Sequence, residues 1–374
     1  MLKLQKKVLN FFALFGIFFI LFTTCCNGNL GFKIKPVLQI ATSNSIGIIW
    51  ETYSDDKGVI KISKNLDISG YVIYETSFNR LQKFIIDGLE PGTRYYYQVT
   101  AGGEITAINT FKTAFEKGCR QKFRFIVYGD TRTNHDDHLD VCVSMIEEQE
   151  VNFVVHTGDF ADKGSFYHIV KFFDIEKDLL ACNPILPVYG NHEADFYFFF
   201  DTHWIDYLLP ASGGTWSYYY YSYGNLFILV LDTNQSLSKD STQYKWAEDN
   251  LMKVYGDEDI DHIMVIMHEP VYSSGKHGDL PGGEVLADLF EEYGVNVVFQ
   301  GHDHNYERLE KNGIIYITSG GGGAPLYSMY NNSDADSITF EETLCYVIVN
   351  VDGKSLNFQA KRVLDGDSST IEEF

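Results

Sequence analysis

The sequence predicts an all-β sandwich over residues 30–115 followed by a layered α/β domain over residues 120–365. Short alternating apolar segments succeed one another up to about residue 115 with no convincing helix between them. Beyond a polar break at Glu116-Lys117-Gly118, apolar runs and helical patterns take turns. A length of 374 residues suits two cores better than one.

Seven segments carry the sandwich: 37–40, 45–53, 59–63, 71–76, 81–86, 95–101 and 107–112. Tyr95, Tyr97 and Val99 alternate with Tyr96 and Gln98, as a sheet with one buried face requires. Trp50 falls in an early strand, and Leu89-Glu90-Pro91-Gly92-Thr93-Arg94-Tyr95-Tyr96-Tyr97 reads as a turn and corner before a late one. This region resembles a fibronectin type III domain, an immunoglobulin-like sandwich, and the resemblance implies that the Tyr95 hydroxyl ties the corner to nearby backbone. An unrelated sandwich with the same turn chemistry is the alternative.

In the second half, strands are expected at 123–128, 151–156, 226–231, 262–267 and 295–300, and helices at 138–149, 242–252 and 283–292. Segments 313–318, 344–349 and 355–361 read as mainly antiparallel strands able to complete a second sheet. The aromatic runs 196–204 and 216–223 are read mostly as packing beneath loops, with one or two rings left for a substrate entrance.

Residues 1–26 read as an export signal, with Lys3, Lys6 and Lys7 ahead of an apolar stretch ending at Cys25-Cys26. The cysteine pair resembles a bacterial lipoprotein site, although Phe22 and Thr24 depart from its usual residues. Three outcomes stay open: a secreted or periplasmic protein, a membrane-anchored lipoprotein, or an uncleaved anchor. All place the bulk of the chain outside the cytoplasm. The formal charge of −22 becomes −25 once residues 1–24 are removed, and such a surface repels nucleic acid. The remaining cysteines, Cys119, Cys142, Cys182 and Cys345, are scattered, with no ligand-like CxxC pair.

Five short segments hold metal-binding residue types: Gly129-Asp130, Gly158-Asp159, Gly190-Asn191-His192-Glu193, His268-Glu269-Pro270 and Gly301-His302-Asp303-His304. Most follow an apolar run directly. A glycine before an acid lets the chain turn at a strand end and aim the carboxylate into a crevice. One Gly-Asp is weak; two, joined by Asn-His and Gly-His-x-His, are strong. The oxygen and nitrogen ligand types favour Zn, Fe or Mn over Ca.

This set resembles the calcineurin-like metallophosphoesterase superfamily and, within it, the purple acid phosphatases, whose layout also puts a type III-like domain first. The resemblance implies two mixed sheets flanked by helices and two divalent or trivalent metal ions. It implies Asp130, Asp159 and His304 on one ion, and Asp159, Asn191, His268 and His302 on the other, with Asp159 bridging. Two positions depart from the pattern. Asp162 stands where purple acid phosphatases have an iron-ligating tyrosine, and Arg132 stands where other members have a histidine. Asp162 or His135 is the candidate to complete the first ion's ligands, and Arg132 to grip a substrate phosphate through two hydrogen bonds.

The expected reaction is hydrolysis of a small phosphate monoester by a metal-activated hydroxide, with His192 as proton donor to the leaving group. Orientation of a ligating acid is the plainer role for His192. A phosphodiesterase with the same centre is one alternative. A catalytically weak surface binding or adhesion protein is another. No obligate protein partner is inferred.

Overall fold

The computed structural model describes residues 30–163, 165–194, 206–209, 213–330 and 336–374. The expected export segment 1–26 and the aromatic run 196–204 lie outside the described residues. No helix among the described residues is long and apolar enough to cross a membrane.

The first region is all strand: β1 (Phe32–Gln39), β2 (Ser45–Asp56), β3 (Val59–Ser63), β4 (Val72–Glu75), β5 (Asn79–Asp87), β6 (Arg94–Ala101), β7 (Glu104–Ile105) and β8 (Asn109–Lys112). Alternation decides what it buries. Tyr95, Tyr97 and Val99 of β6 join Trp50, Ile46 and Ile48 of β2 in one apolar core, while Tyr96 and Gln98 face outward. The Glu90 amide donates to the Tyr95 hydroxyl at 2.9 Å, which fixes the corner into β6. The short β7 was not expected; it folds back on β6 through Gly102-Gly103, both at positive φ.

The second region alternates: β9 (Phe123–Tyr128), α1 (His135–Ile146), β10 (Val151–His156), α2 (Phe166–Leu180), β11 (Ile185–Pro187), α3 (Asn191–Ala194), β12 (Tyr219–Tyr223), β13 (Leu226–Val230), α4 (Thr242–Val254), β14 (His262–Ile266), α5 (Glu284–Glu292), β15 (Val297–Gln300), β16 (Tyr306–Lys311), β17 (Ile314–Ser319), β18 (Ser337–Glu341), β19 (Leu344–Asp352), β20 (Ser355–Leu364) and β21 (Asp367–Glu373). Strands β9, β10 and β11 are mutually parallel, as are β13, β14, β15 and β17.

Two sheets stack face to face with helices outside. Phe125 and Val127 of β9 meet Met264 and Ile266 of β14 in the core between the sheets. Their neighbours Ile126 and Tyr128 turn the other way, onto Val141 of α1 and Phe172 of α2. On the second sheet Val265 and Met267 pack toward Leu251 of α4 and Leu286 of α5. Strands buried on both faces explain the continuous apolar runs in the sequence.

Four findings differ from the expected layout. The sandwich and the α/β layers share a sheet, ordered β21-β20-β19-β9-β10-β11-β1-β2-β5, because β1 pairs in parallel with β11 at Gln39 and Ile185. Segments 344–349 and 355–361 therefore extend the first sheet through β19 and β20, while 313–318 enters the second as β17. Strand β21 continues the first sheet past residue 365, and helix α2 was not foreseen, although Ile169, Phe172, Phe173 and Glu176 have helical spacing and are buried.

Candidate metal centre

All five motifs lie at the carboxyl ends of parallel strands: Asp130 after β9, Asp159 after β10, Asn191 after β11, His268 after β14 and His302 after β15. That edge is where open α/β sheets present ligands. The turns are strained in a consistent way, since Asp130, Asp159 and His302 hold φ of 58°, 58° and 69°. Glycine at 301 is required by crowding: a Cβ there would lie 2.6 Å from Asp130 Oδ2 and 2.8 Å from Thr157 Oγ1. At Gly320 a Cβ would meet the Asp303 carbonyl at 2.2 Å, so the glycine run 320–323 brings backbone against the site.

One ligand group is assembled tightly. Ligand atoms of Asp159, His268 and His302 all lie within 4.8 Å of one another. His268 Nε2 is 3.0 Å from Asn191 Oδ1 and 3.3 Å from Asp159 Oδ1. His268 Nδ1 donates to the Thr157 carbonyl at 2.9 Å, so its proton is committed there and Nε2 presents a lone pair. That lone pair faces two oxygen acceptors. Double protonation would relieve the clash, but burial lowers the His268 pKa. The donor set suits a cation.

The second group is arranged differently. His304 Nδ1 donates to the Pro325 carbonyl at 2.6 Å, leaving Nε2 as an acceptor 3.6 Å from Asp130 Oδ1. Arg132 enters this group: its Nε donates to Asp159 Oδ2 at 3.2 Å and its Nη2 to His304 Nε2 at 3.3 Å. Burial lowers His302 to about 2 and His304 to about 3, so both rings are neutral. Burial, with Asp159 beside it, raises the Asp130 carboxyl well above its ordinary value. For Asp159, burial opposes ionisation, but the neighbouring imidazoles, the His192 amide and the Arg132 guanidinium together hold its pKa down.

Asp162 and His135 stand apart from this cluster. The Asp162 carboxylate accepts from Thr133 Oγ1 and lies 3.8 Å from Arg132 Nη1, while its carbonyl accepts from His192 Nδ1 at 2.9 Å. His135 opens α1, and its Nδ1 is buried with no hydrogen-bond partner among the described residues. His192 Nε2 points back toward Asp159 Oδ2 at 3.8 Å.

Several positioning residues were not legible in advance. The Glu193 carboxylate accepts from the amides of Asp159, Gly190 and Phe160 at 2.9, 2.9 and 3.0 Å. It thereby binds two ligand loops into one unit. Tyr327 stacks on His304 at 4.1 Å, and His277 lies 4.1 Å from the His302 ring. Nothing in the spacing around Tyr327 marks it, whereas the glycine-rich segment after His268 does single out His277.

Residues 123–306 match the calcineurin-like phosphoesterase family. A purple acid phosphatase of Glycine max is 28% identical over 311 residues, covering 73% of this chain and 66% of the relative. The Fe(3+)-Zn(2+) purple acid phosphatase 12 of Arabidopsis thaliana is 27% identical over 296 residues, covering 68% of this chain and 62% of the relative. The chain therefore spans somewhat under two thirds of these relatives' length. In fold it is similar to the purple acid phosphatase from yellow lupin (Lupinus luteus) seeds, with a TM-score of 0.74 and 18% identity over 91% of this chain and 73% of that one. The chain carries a domain of the calcineurin-like phosphoesterase family, and the purple acid phosphatases are its homologues.

Proposed function

We propose that this chain is a metal-dependent hydrolase of small phosphate monoesters acting outside the cytoplasm. The observation that supports it most is the meeting of Asp159, Asn191, His268 and His302 at the ends of four different strands, with the His268 Nδ1–H spent on the Thr157 carbonyl and Nε2 turned toward Asn191 and Asp159. In this reading Asp159, Asn191, His268 and His302 hold one ion, and Asp130, Asp159 and His304 a second. Iron, zinc or manganese would suit these ligands. Ions bound there supply charge that acidifies water and offsets the phosphate oxygens.

The protein's own groups do the rest. Thr157 and Pro325 carbonyls fix the His268 and His304 tautomers, so both rings keep their lone pairs aimed inward. His192 is the proton donor to the leaving oxygen; with Nδ1–H committed to the Asp162 carbonyl, transfer runs through Nε2. Beside the centre, Asn234 Nδ2 donates to the Gly190 carbonyl at 3.2 Å and helps line a cavity of about 580 Å³ with Tyr189, Trp216 and Asp232. We assign the organic part of the ester to this recess. The aromatic wall, where Tyr189 and Trp216 meet edge to face at 4.8 Å, gives it an apolar surface.

The extracytoplasmic placement rests on the basic and apolar segment 1–26, and the type III-like assignment of the sandwich on Trp50 and the Tyr95 corner. Chelator-stripped protein reloaded with zinc, iron or manganese should hydrolyse p-nitrophenyl phosphate faster than bis(p-nitrophenyl) phosphate. A preference for the diester would replace the monoesterase reading with a diesterase. Absence of turnover on both, with any of the metals, would favour a binding protein.

A further inference from the structure

The two halves of the centre differ in how their negative charge is met. On the His268 side, imidazole and oxygen atoms face one another. On the His304 side, a guanidinium is already inserted between the two ligand atoms, Asp159 Oδ2 and His304 Nε2. Its third nitrogen lies toward Asp162, and the side chain is only 15% exposed. The guanidinium is thus lodged in the ligand set, and it cannot lose its charge.

We propose that Arg132 is an internal cation that competes with the ion on the His304 side, so that the two ions bind in order and with unequal affinity. This rests on the metal-centre reading above. An ion entering between Asp159 Oδ2 and His304 Nε2 needs the same lone pairs that now accept from Arg132, and two positive charges at this spacing repel. The first ion therefore enters at Asp159, Asn191, His268 and His302. The second enters only as Arg132 withdraws. Withdrawal also frees both edges of the guanidinium for a phosphate oxygen pair, which joins the competing-cation role to a phosphate grip.

The test is calorimetric titration of chelator-stripped protein with zinc alone, with bound zinc counted by elemental analysis. The wild-type protein is expected to show two steps separated by at least tenfold in Kd. In Arg132→Gln and Arg132→His, the weaker step should tighten by about tenfold or more while the tighter step stays in place. His268→Ala should remove the tighter step. Circular dichroism identifies any variant that fails to fold, and the other Arg132 substitution then carries the comparison. Equal affinities in the wild-type protein, or a weaker step that both Arg132 variants leave unmoved, would overturn the proposal while leaving the metal centre intact. If zinc binds nowhere in the wild-type protein and His268→Ala changes nothing, the metal-centre reading falls and takes the proposal with it.

Discussion

The convergence of the candidate ligand residues was readable because they sit in glycine-punctuated strings at the ends of apolar runs, where the chain has few conformations to choose from. Their supports were not. Glu193 acts on three backbone amides that no side-chain pattern announces, and removing its carboxylate leaves those amides buried and unpaired. Glu193→Ala should cost roughly 2–4 kcal/mol in urea unfolding, with Glu193→Gln intermediate. His156 makes a separate point about pH. Its Nδ1 accepts from the Gly158 amide, its Nε2 donates to Thr131 Oγ1, and burial holds its pKa well below the ordinary 6.5. The unfolded chain takes up that proton below about pH 6.5 and the folded one does not. The stabilisation is complete above this value and is lost as pH falls. In His156→Gln, the acid-side slope of stability should flatten by up to about 1.4 kcal/mol per pH unit. An unchanged slope would mean that the ring is protonated in the folded protein.

Elements with one clear period were legible, and elements whose identity depends on partners were not. Strand β6 shows its alternation openly, and the Tyr95 hydroxyl lands on the Glu90 amide as the turn residues suggested. Tyr95→Phe should lose about 1 kcal/mol by thermal or urea unfolding, because the ring stays packed and only the bond goes. Helix α2 was missed because aromatic residues crowd its sequence and blur the stripe that Ile169, Phe172 and Phe173 form once it packs on β1 and β10. The destinations of β19 and β20 were equally hidden. Their strand character is local, but the pairing of β19 with β9, which carries β20 along on the far side of β19, is long-range.

At the scale of the whole chain, the sequence divides at residues 116–118, yet the backbone joins the halves through β1 and β11. Side chains reinforce the seam: Tyr97 Oη donates to the Ala181 carbonyl at 2.8 Å and Tyr221 Oη to the Ala41 carbonyl at 2.6 Å. A continuous sheet transmits unfolding, so calorimetry should give one transition with matching calorimetric and van't Hoff enthalpies. Two resolved transitions would show that the sandwich melts by itself. The same architecture sets five strand ends around one crevice, and the functional account depends on that convergence. Anomalous diffraction from crystals of the zinc-loaded protein tests it most directly. The account predicts a peak within ligand distance of Asp159, Asn191, His268 and His302, with a weaker one between Asp130 and His304. Full zinc occupancy elsewhere in the molecule, with this crevice empty, would contradict it.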